Sequence, residues 1–158
     1  GVVCSRWLFD KPPPPFYAPL VRFEGHADRL QHYEVVYPSI AVNMSVYTPA
    51  GRGGPGMVDD AQTYRMVSYN FLTPIDEDNT MYFWLQHRNT DPGNEEITLR
   101  NAQGARSAFE EDRVILEAVH IGMKNKTTRT AGLMLDAAAG KFRKTLDEMI
   151  AGEQAATR

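Results

Sequence analysis

The chain has 158 residues, of which 42% are hydrophobic and 23% charged, the composition of one ordinary globular domain. Its net charge of -3 gives no electrostatic reason to expect a nucleic acid or an anionic membrane as partner, and no apolar run approaches the roughly 20 residues that span a bilayer. The single cysteine, Cys4, excludes an internal disulfide framework and a cysteine-based zinc or iron–sulfur site within the chain, and it fits a reducing cytoplasm.

The first 90 residues predict strands separated by turns and connectors. Pro12 to Pro15 form a stiff extended connector, because proline fixes the backbone and lacks the amide donor of a sheet ladder. The segment at residues 81–88 is apolar on both faces and is therefore predicted to lie centrally in the sheet. The predicted strands cover residues 1–10, 31–48 as two strands broken near Pro38, 64–72 and 81–88.

After residue 94 the spacing of the apolar residues changes to that of a helix. Asn94 is suited to cap a first helix that runs to about residue 120, and Asp136 a second over residues 137–151. Several strands followed by a long helix are typical of an α+β fold in which the helix lies across one face of the sheet. We therefore expect one α+β domain.

Asp112 occupies an unexpected position on the first helix. At about 100° per residue, it falls in the middle of an apolar stripe. A carboxylate that faces the core is costly unless it is paired, protonated or bound to a metal. Three interpretations stay open: a buried aspartate satisfied by an arginine or by backbone amides, the carboxylate of an iron site with two histidines, or a different helical register. The stripe is formed by Phe109, Ile115, Leu116 and Val119.

The four histidines do not complete a metal site by their spacing. His26 and His32 are six residues apart, a spacing that converges on a metal in neither a helix nor a strand. His120 lies two turns beyond Asp112, and His87 ends an aromatic strand, where a structural, hydrogen-bonded role is expected. The sequence contains no nucleophile elbow, phosphate-binding glycine loop or C-x-x-C motif.

Four segments of the chain resemble the oxygenase components of the vanillate O-demethylase and dicamba monooxygenase type, which are Rieske non-haem iron oxygenases. The most specific is the helical pattern E-D-x-x-x-x-E-A, which contains Asp112 and Glu117. The order and spacing of the segments hold over nearly the whole chain. They are Arg6-Trp7-Leu8 with the proline string, Leu72-Thr73-Pro74 with Met81-Tyr82-Phe83-Trp84 and Arg88-Asn89, Phe109 to Glu117, and Asp136 to Glu153.

This resemblance implies a catalytic domain of the helix-grip (Bet v 1-like or START-like) type, in which two histidines and one aspartate hold a mononuclear Fe(II). By position, Asp112 matches the carboxylate ligand. Asn43, Asn70 and Gln103 match substrate-binding positions, and relatives often carry a histidine at the position of Asn70. For each asparagine, hydrogen bonding to a neighbouring backbone group is the alternative.

The remaining parts of such an oxygenase match nothing in residues 1–158. These parts are the two histidine ligands and an N-terminal Rieske domain with a [2Fe–2S] cluster. We therefore expect residues 1–158 to be the C-terminal portion of the catalytic domain, an incomplete fragment that is inactive alone.

The implied function is O-demethylation or hydroxylation of an aromatic acid with O2. Electrons are expected from NAD(P)H through a reductase or ferredoxin partner and the Rieske centre. Oxygenases of this type are homotrimers, and no nucleic-acid or membrane partner is expected. The competing interpretation is a non-catalytic carrier of hydrophobic ligands with the same helix-grip shape, since a fold does not fix a function.

Overall fold

A computed structural model describes residues 1–125, 133 and 136–156. The predicted α+β class is confirmed, as are the predicted strands and both predicted helices. The strands are β1 (Val2–Lys11), β2 (Ala27–Val36), β3 (Ile40–Pro49), β4 (Tyr64–Pro74) and β5 (Thr80–Arg88), and the helices are α1 (Glu95–Lys124) and α2 (Ala137–Ala156).

The strands form one antiparallel sheet in the order β1-β2-β3-β4-β5, so that each strand pairs with its neighbours in sequence. The prediction that residues 81–88 lie centrally is wrong, because β5 is an edge strand of the sheet that the described residues form. Its apolar side chains are not covered on both faces of the sheet, since Phe83 is 57% exposed and Met81 is 46% exposed. The apolar composition of β5 therefore does not reflect a central position in the sheet.

The two faces of the sheet differ in chemistry. Directly paired residues share a face, and so do residues two apart along one strand. One face, which we call the polar face, carries asparagine, glutamine, serine and arginine side chains, and none of its ladder-paired residues is an aspartate or a glutamate. The polar face is formed by the row Arg6, Gln31, Ser45, Met66 and Arg88, which crosses all five strands, by the rows of Cys4 and Leu8 on either side of it, and by the row of Ala41 and Asn70 next to that of Cys4.

A buried carboxylate ties three segments together at one end of the opposite face. Asp28 is 2% exposed, and its side chain accepts the backbone N–H groups of Asp10 at 2.9 Å, Gly51 at 2.8 Å and Gly53 at 2.9 Å. Burial raises the pKa of this carboxyl, but the backbone amides outweigh burial and hold the pKa below the ordinary value of 3.8. Only glycine fits at position 53, because a Cβ there would lie 2.4 Å from the Cβ of Asp28.

The helices begin where their sequence signals predict. The side chain of Asn94 accepts the N–H of Ile97 at 3.2 Å, which satisfies one of the free amides of the first turn of α1. α2 begins at the predicted residue and extends to Ala156. The side chain of Asp136 accepts the N–H of Leu133, which precedes the helix, and no capping bond from Asp136 to α2 is found among the described residues. Neither helix, over its described residues, is long and apolar enough to cross a membrane.

The chain divides into two compact units, one with the sheet and α2 and the other with α1. Within the first unit, α2 packs close to β1, and the ring of Phe142 stacks on that of Tyr37 with centroids 5.4 Å apart. Phe142 and Leu146 of α2 are half-buried, whereas Met149 and Ile150 are exposed. The expectation that the long helix lies across the sheet stays a prediction.

Candidate functional site

Asp112 lies in the second half of α1 with its side chain exposed. The adjacent Arg113 is engaged by two other carboxylates, since it donates to Glu110 and, at 2.6 Å, to Glu117. The hydrogen bond from Arg113 holds the pKa of Glu110 below its usual value. Asp112 itself makes no hydrogen bond or ion pair with any residue that the structure describes. An arginine or backbone amide that satisfies this carboxylate is therefore not found, and its oxygens stay available.

Three of the four residues of the apolar stripe around Asp112 are exposed as well, and Phe109 is half-buried. Ile115 is 62% exposed and Leu116 is 65% exposed. The two buried residues of α1, Asn101 and Ala105, project within about 20° of Asp112 but lie two to three turns earlier. The prediction that Asp112 faces a core is wrong for the described chain, because helical periodicity identifies a face but does not show what covers it.

Gln103 does not share a helix face with Asp112. Nine residues correspond to two and a half turns, so the two side chains project from opposite sides of α1. Gln103 is exposed and lines a shallow depression of about 550 Å³ along one face of the helix, together with Arg106, Ser107, Glu110, Glu111 and Val114. The regular geometry of α1 therefore separates the predicted metal ligand from this predicted substrate contact.

The structure brings Asn43 and Asn70 together on the polar face. Asn43 pairs with Ser68, and Asn70 is the next residue of β4 on that face. Asn43 is exposed, and no hydrogen bond of its side chain is found within the described ranges. Of the two predicted substrate contacts on the sheet, Asn43 is thus the accessible one.

Asn70 is buried at 4% exposure, and its side-chain amide is fully engaged. Its Nδ2 donates to the carbonyl oxygens of Ala41 at 3.1 Å and Ser68 at 3.4 Å. Its Oδ1 accepts the hydroxyl of Tyr82 at 2.6 Å. The structure thus shows the alternative predicted for Asn70, in which its side chain bonds to neighbouring backbone groups. Tyr82 was missed from the sequence, because its proximity to Asn70 depends on the register between β4 and β5.

Substitution of Asn70 by alanine is expected to destabilise the protein by about 2 kcal/mol, because it removes a buried amide that donates to two backbone carbonyls and accepts the Tyr82 hydroxyl. Chemical denaturation of the variant beside Asn43→Ala measures the effect. The exposed Asn43 serves as a matched control, and its replacement is expected to leave the free energy of unfolding nearly unchanged. Equal losses in the two variants would contradict the structural role of Asn70.

The contacts of His26, His32 and His87 are with residues other than Asp112. His26 pairs with Asp10 at 2.8 Å, and His32 accepts or donates a hydrogen bond at 2.7 Å with Ser5. The ring of His87 packs edge-on against that of Tyr69, with centroids 5.6 Å apart. Within the described ranges, no three histidine, cysteine, aspartate or glutamate side chains are grouped so that they could hold a metal ion. Asp112 fits an iron site as one oxygen ligand, and further ligands would have to be supplied beside it.

Comparison with known proteins shows the family. Residues 1–152 match the family model described as the vanillate O-demethylase oxygenase C-terminal domain. The chain is 30% identical over 156 residues to the toluene-4-sulfonate monooxygenase system iron-sulfur subunit of Comamonas testosteroni, covering 97% of this chain and 44% of that protein. It is 29% identical over 161 residues to the vanillate O-demethylase oxygenase subunit of Pseudomonas sp. (strain ATCC 19151), covering 98% of this chain and 49% of that protein.

The chain thus spans a little under half the length of these relatives. No solved structure matches it at a significant level. The match to the family model nevertheless includes the whole sheet, all of α1 and most of α2. The chain therefore belongs to the family of vanillate O-demethylase oxygenase C-terminal domains.

Proposed function

We propose that this chain forms the C-terminal part of the catalytic domain of an oxygenase component that hydroxylates or O-demethylates an aromatic acid with O2. The observation that carries the proposal is the family match over residues 1–152. The relatives named above come from two different aromatic monooxygenase systems, which supports the reaction class rather than one substrate. A carrier of hydrophobic ligands is not favoured, because these relatives are oxygenase and monooxygenase subunits.

We propose Asp112 as the carboxylate ligand of a mononuclear Fe(II), with two histidine ligands from outside residues 1–158. Carboxylate oxygen is a suitable donor for this ion, and Asp112 is uncommitted while its neighbours Glu110 and Glu117 are engaged by Arg113. Bound iron would supply the activation of O2, and Asp112 would place a negative charge next to the metal. The exposed apolar residues around Asp112, among them Leu116, support packing against the remainder of the oxygenase.

The substrate-binding residues are proposed one by one. Asn43 would hydrogen-bond the substrate directly, because its side chain is exposed and uncommitted. Asn70 is engaged within the sheet, so its contribution would be to hold the Tyr82 hydroxyl in place. Gln103 stays a proposed substrate-binding residue on the family resemblance alone.

Electrons are proposed to reach the iron from NAD(P)H through a reductase or ferredoxin and a [2Fe–2S] Rieske cluster. One relative is named an iron-sulfur subunit of a monooxygenase system, which supports a multicomponent arrangement with a cluster. The helix-grip architecture, a homotrimeric assembly and a cytoplasmic location are further proposals that rest on the family resemblance.

A turnover assay with the full-length oxygenase and its reductase tests the proposed function. We expect O2 and NAD(P)H to be consumed in step with conversion of an aromatic acid, with formaldehyde released when the substrate is an aryl methyl ether. An oxygen electrode and product chromatography measure the two sides of the reaction. Tight binding of aromatic acids without any O2 consumption in the reconstituted system would point to the carrier instead.

A further inference from the structure

Two arginines lie close together on the polar face. Arg6 of β1 pairs directly with Gln31 of β2, and Arg29 lies two residues before Gln31 on the same strand. The two arginines are therefore diagonal cross-strand neighbours, roughly 7–8 Å apart between backbones and within reach of one another's long side chains. Gln31 between them is buried at 7% exposure, whereas Arg29 is half-buried and Arg6 is exposed. The two arginines thus lie at different depths, with Arg6 at the surface and Arg29 in the partly buried region of the polar face.

Neither guanidinium meets a carboxylate among the described residues. Arg6 donates through Nε to Oε1 of Gln31 at 2.5 Å, which leaves its terminal nitrogens uncommitted. Arg29 donates through Nη2 to Oγ of Ser45 at 3.5 Å, the long limit of a hydrogen bond, and its Nε is buried without a partner. No aspartate or glutamate occupies a ladder-paired position on this face. Two neighbouring positive charges therefore stand uncompensated.

Aromatic rings fix the position of the Arg29 guanidinium. Its central carbon lies 5.4 Å from the ring centroid of Tyr17 and 5.2 Å from that of the fully buried Tyr47. These two rings also contact each other, with centroids 4.8 Å apart. A guanidinium that lies over aromatic rings is attracted by their π-electrons, while its N–H groups can still donate to an anion. Arg29 is thus a preorganised donor whose Nε has no acceptor and whose guanidinium meets no carboxylate among the described residues.

We infer that Arg6 and Arg29 bind the acid group of the aromatic substrate, a carboxylate or a sulfonate; the inference rests on the proposed function. A bound oxyanion would relieve the repulsion between the two guanidinium groups and would accept their edge N–H groups. Nη2 of Arg29 reaches Ser45, and Asn43 is the next residue of β3 on the same face, about 7 Å along the strand. That spacing matches an aromatic ring whose acid group lies at Arg29 and whose opposite end lies at Asn43.

Binding measurements on the full-length protein without reductant test this inference. The probes are 4-methoxybenzoate, 4-methoxybenzenesulfonate and the neutral 4-methoxybenzamide, titrated by calorimetry. Wild type is expected to bind at least one of the two anions more tightly than the amide. Arg29→Gln is expected to weaken that anion by roughly ten- to hundredfold and to leave the amide nearly unchanged. The anion with the larger loss identifies whether the site takes a carboxylate or a sulfonate.

Arg65→Gln is the matched control, because Arg65 lies on the opposite face and is paired with Asp59 at 2.6 Å. It is expected to leave all three affinities unchanged. Should Arg29→Gln fail to fold, Arg6→Gln and Arg29→Lys provide the same comparison, with smaller losses confined to the anion. Equal losses for the anion and the amide, or equal effects of Arg65→Gln, would overturn the arginine site. Wild type that binds none of the three probes would instead overturn the proposed function.

Discussion

Replacement of Asp112 by alanine is expected to remove the mononuclear iron from the full-length oxygenase while the Rieske cluster stays in place. The variant loses the only carboxylate donor of the proposed site, and the affinity for iron should fall by roughly tenfold or more. The ratio of iron to acid-labile sulfide measures the effect. In wild type the ratio includes iron beyond that of the cluster, and in the Asp112→Ala variant this excess is expected to disappear.

Glu111 offers a matched control for this experiment. It is the neighbouring carboxylate of α1, it is exposed like Asp112, and it projects about 100° away around the helix. Glu111→Ala is expected to keep the wild-type ratio of iron to sulfide. A full complement of iron in Asp112→Ala would remove Asp112 from the ligand set, although the family membership of the chain would be unaffected.

The largest loss of folding stability is expected from Asp28→Ala, at about 3–5 kcal/mol. The variant leaves the amides of Asp10, Gly51 and Gly53 without their buried acceptor and opens space under the loop that follows β3. Chemical denaturation followed by circular dichroism measures the free energy of unfolding. Asp76→Ala is the control, because Asp76 also accepts backbone amides but is exposed, and a smaller loss is expected there. Equal losses would show that burial of the Asp28 carboxylate adds nothing.

Asp28 also gives the stability a defined dependence on pH. Its pKa in the folded protein is below the ordinary value of 3.8, so the unfolded chain takes up the proton more readily. The contribution of Asp28 is therefore fully present above the ordinary pKa and is lost as the pH falls through the folded pKa. We expect wild type to lose stability relative to Asp28→Asn only below about pH 4. A constant difference between the two proteins down to strongly acidic pH would contradict this linkage.

Local signals in the sequence were sufficient for the elements of this fold. Asn94 marks the start of α1 because its side chain replaces a missing helical acceptor, and Pro38 separates β2 from β3 because it interrupts the ladder. The position of β5 was predicted wrongly, because apolar composition shows only that a strand has a partner surface. Whether that surface is a neighbouring strand or another part of the protein depends on the topology.

The candidate site depended more strongly on contacts between distant residues. Helical periodicity placed Asp112 on an apolar face, but it did not show that this face is exposed in the described chain. The role of Asn70 follows from its register against Tyr82, which no local pattern encodes. Neither Arg6 nor Arg29 was predicted to bind a ligand, since arginine on a strand is ordinarily solvated. Their lack of acidic partners appears only when paired strands are compared across the sheet.

The edge position of β5 affects the solubility of residues 1–158 as an isolated polypeptide. An outer strand presents a row of unpaired backbone donors and acceptors, which acts as a template for the addition of another strand. Natural sheets often block such edges with lysine or proline, but β5 has neither between Met81 and His87, and Phe83 and Leu85 are both exposed. Two separate copies could therefore join edge to edge through hydrogen bonds and apolar contacts. Solubility of the isolated polypeptide would then depend on covering this strand.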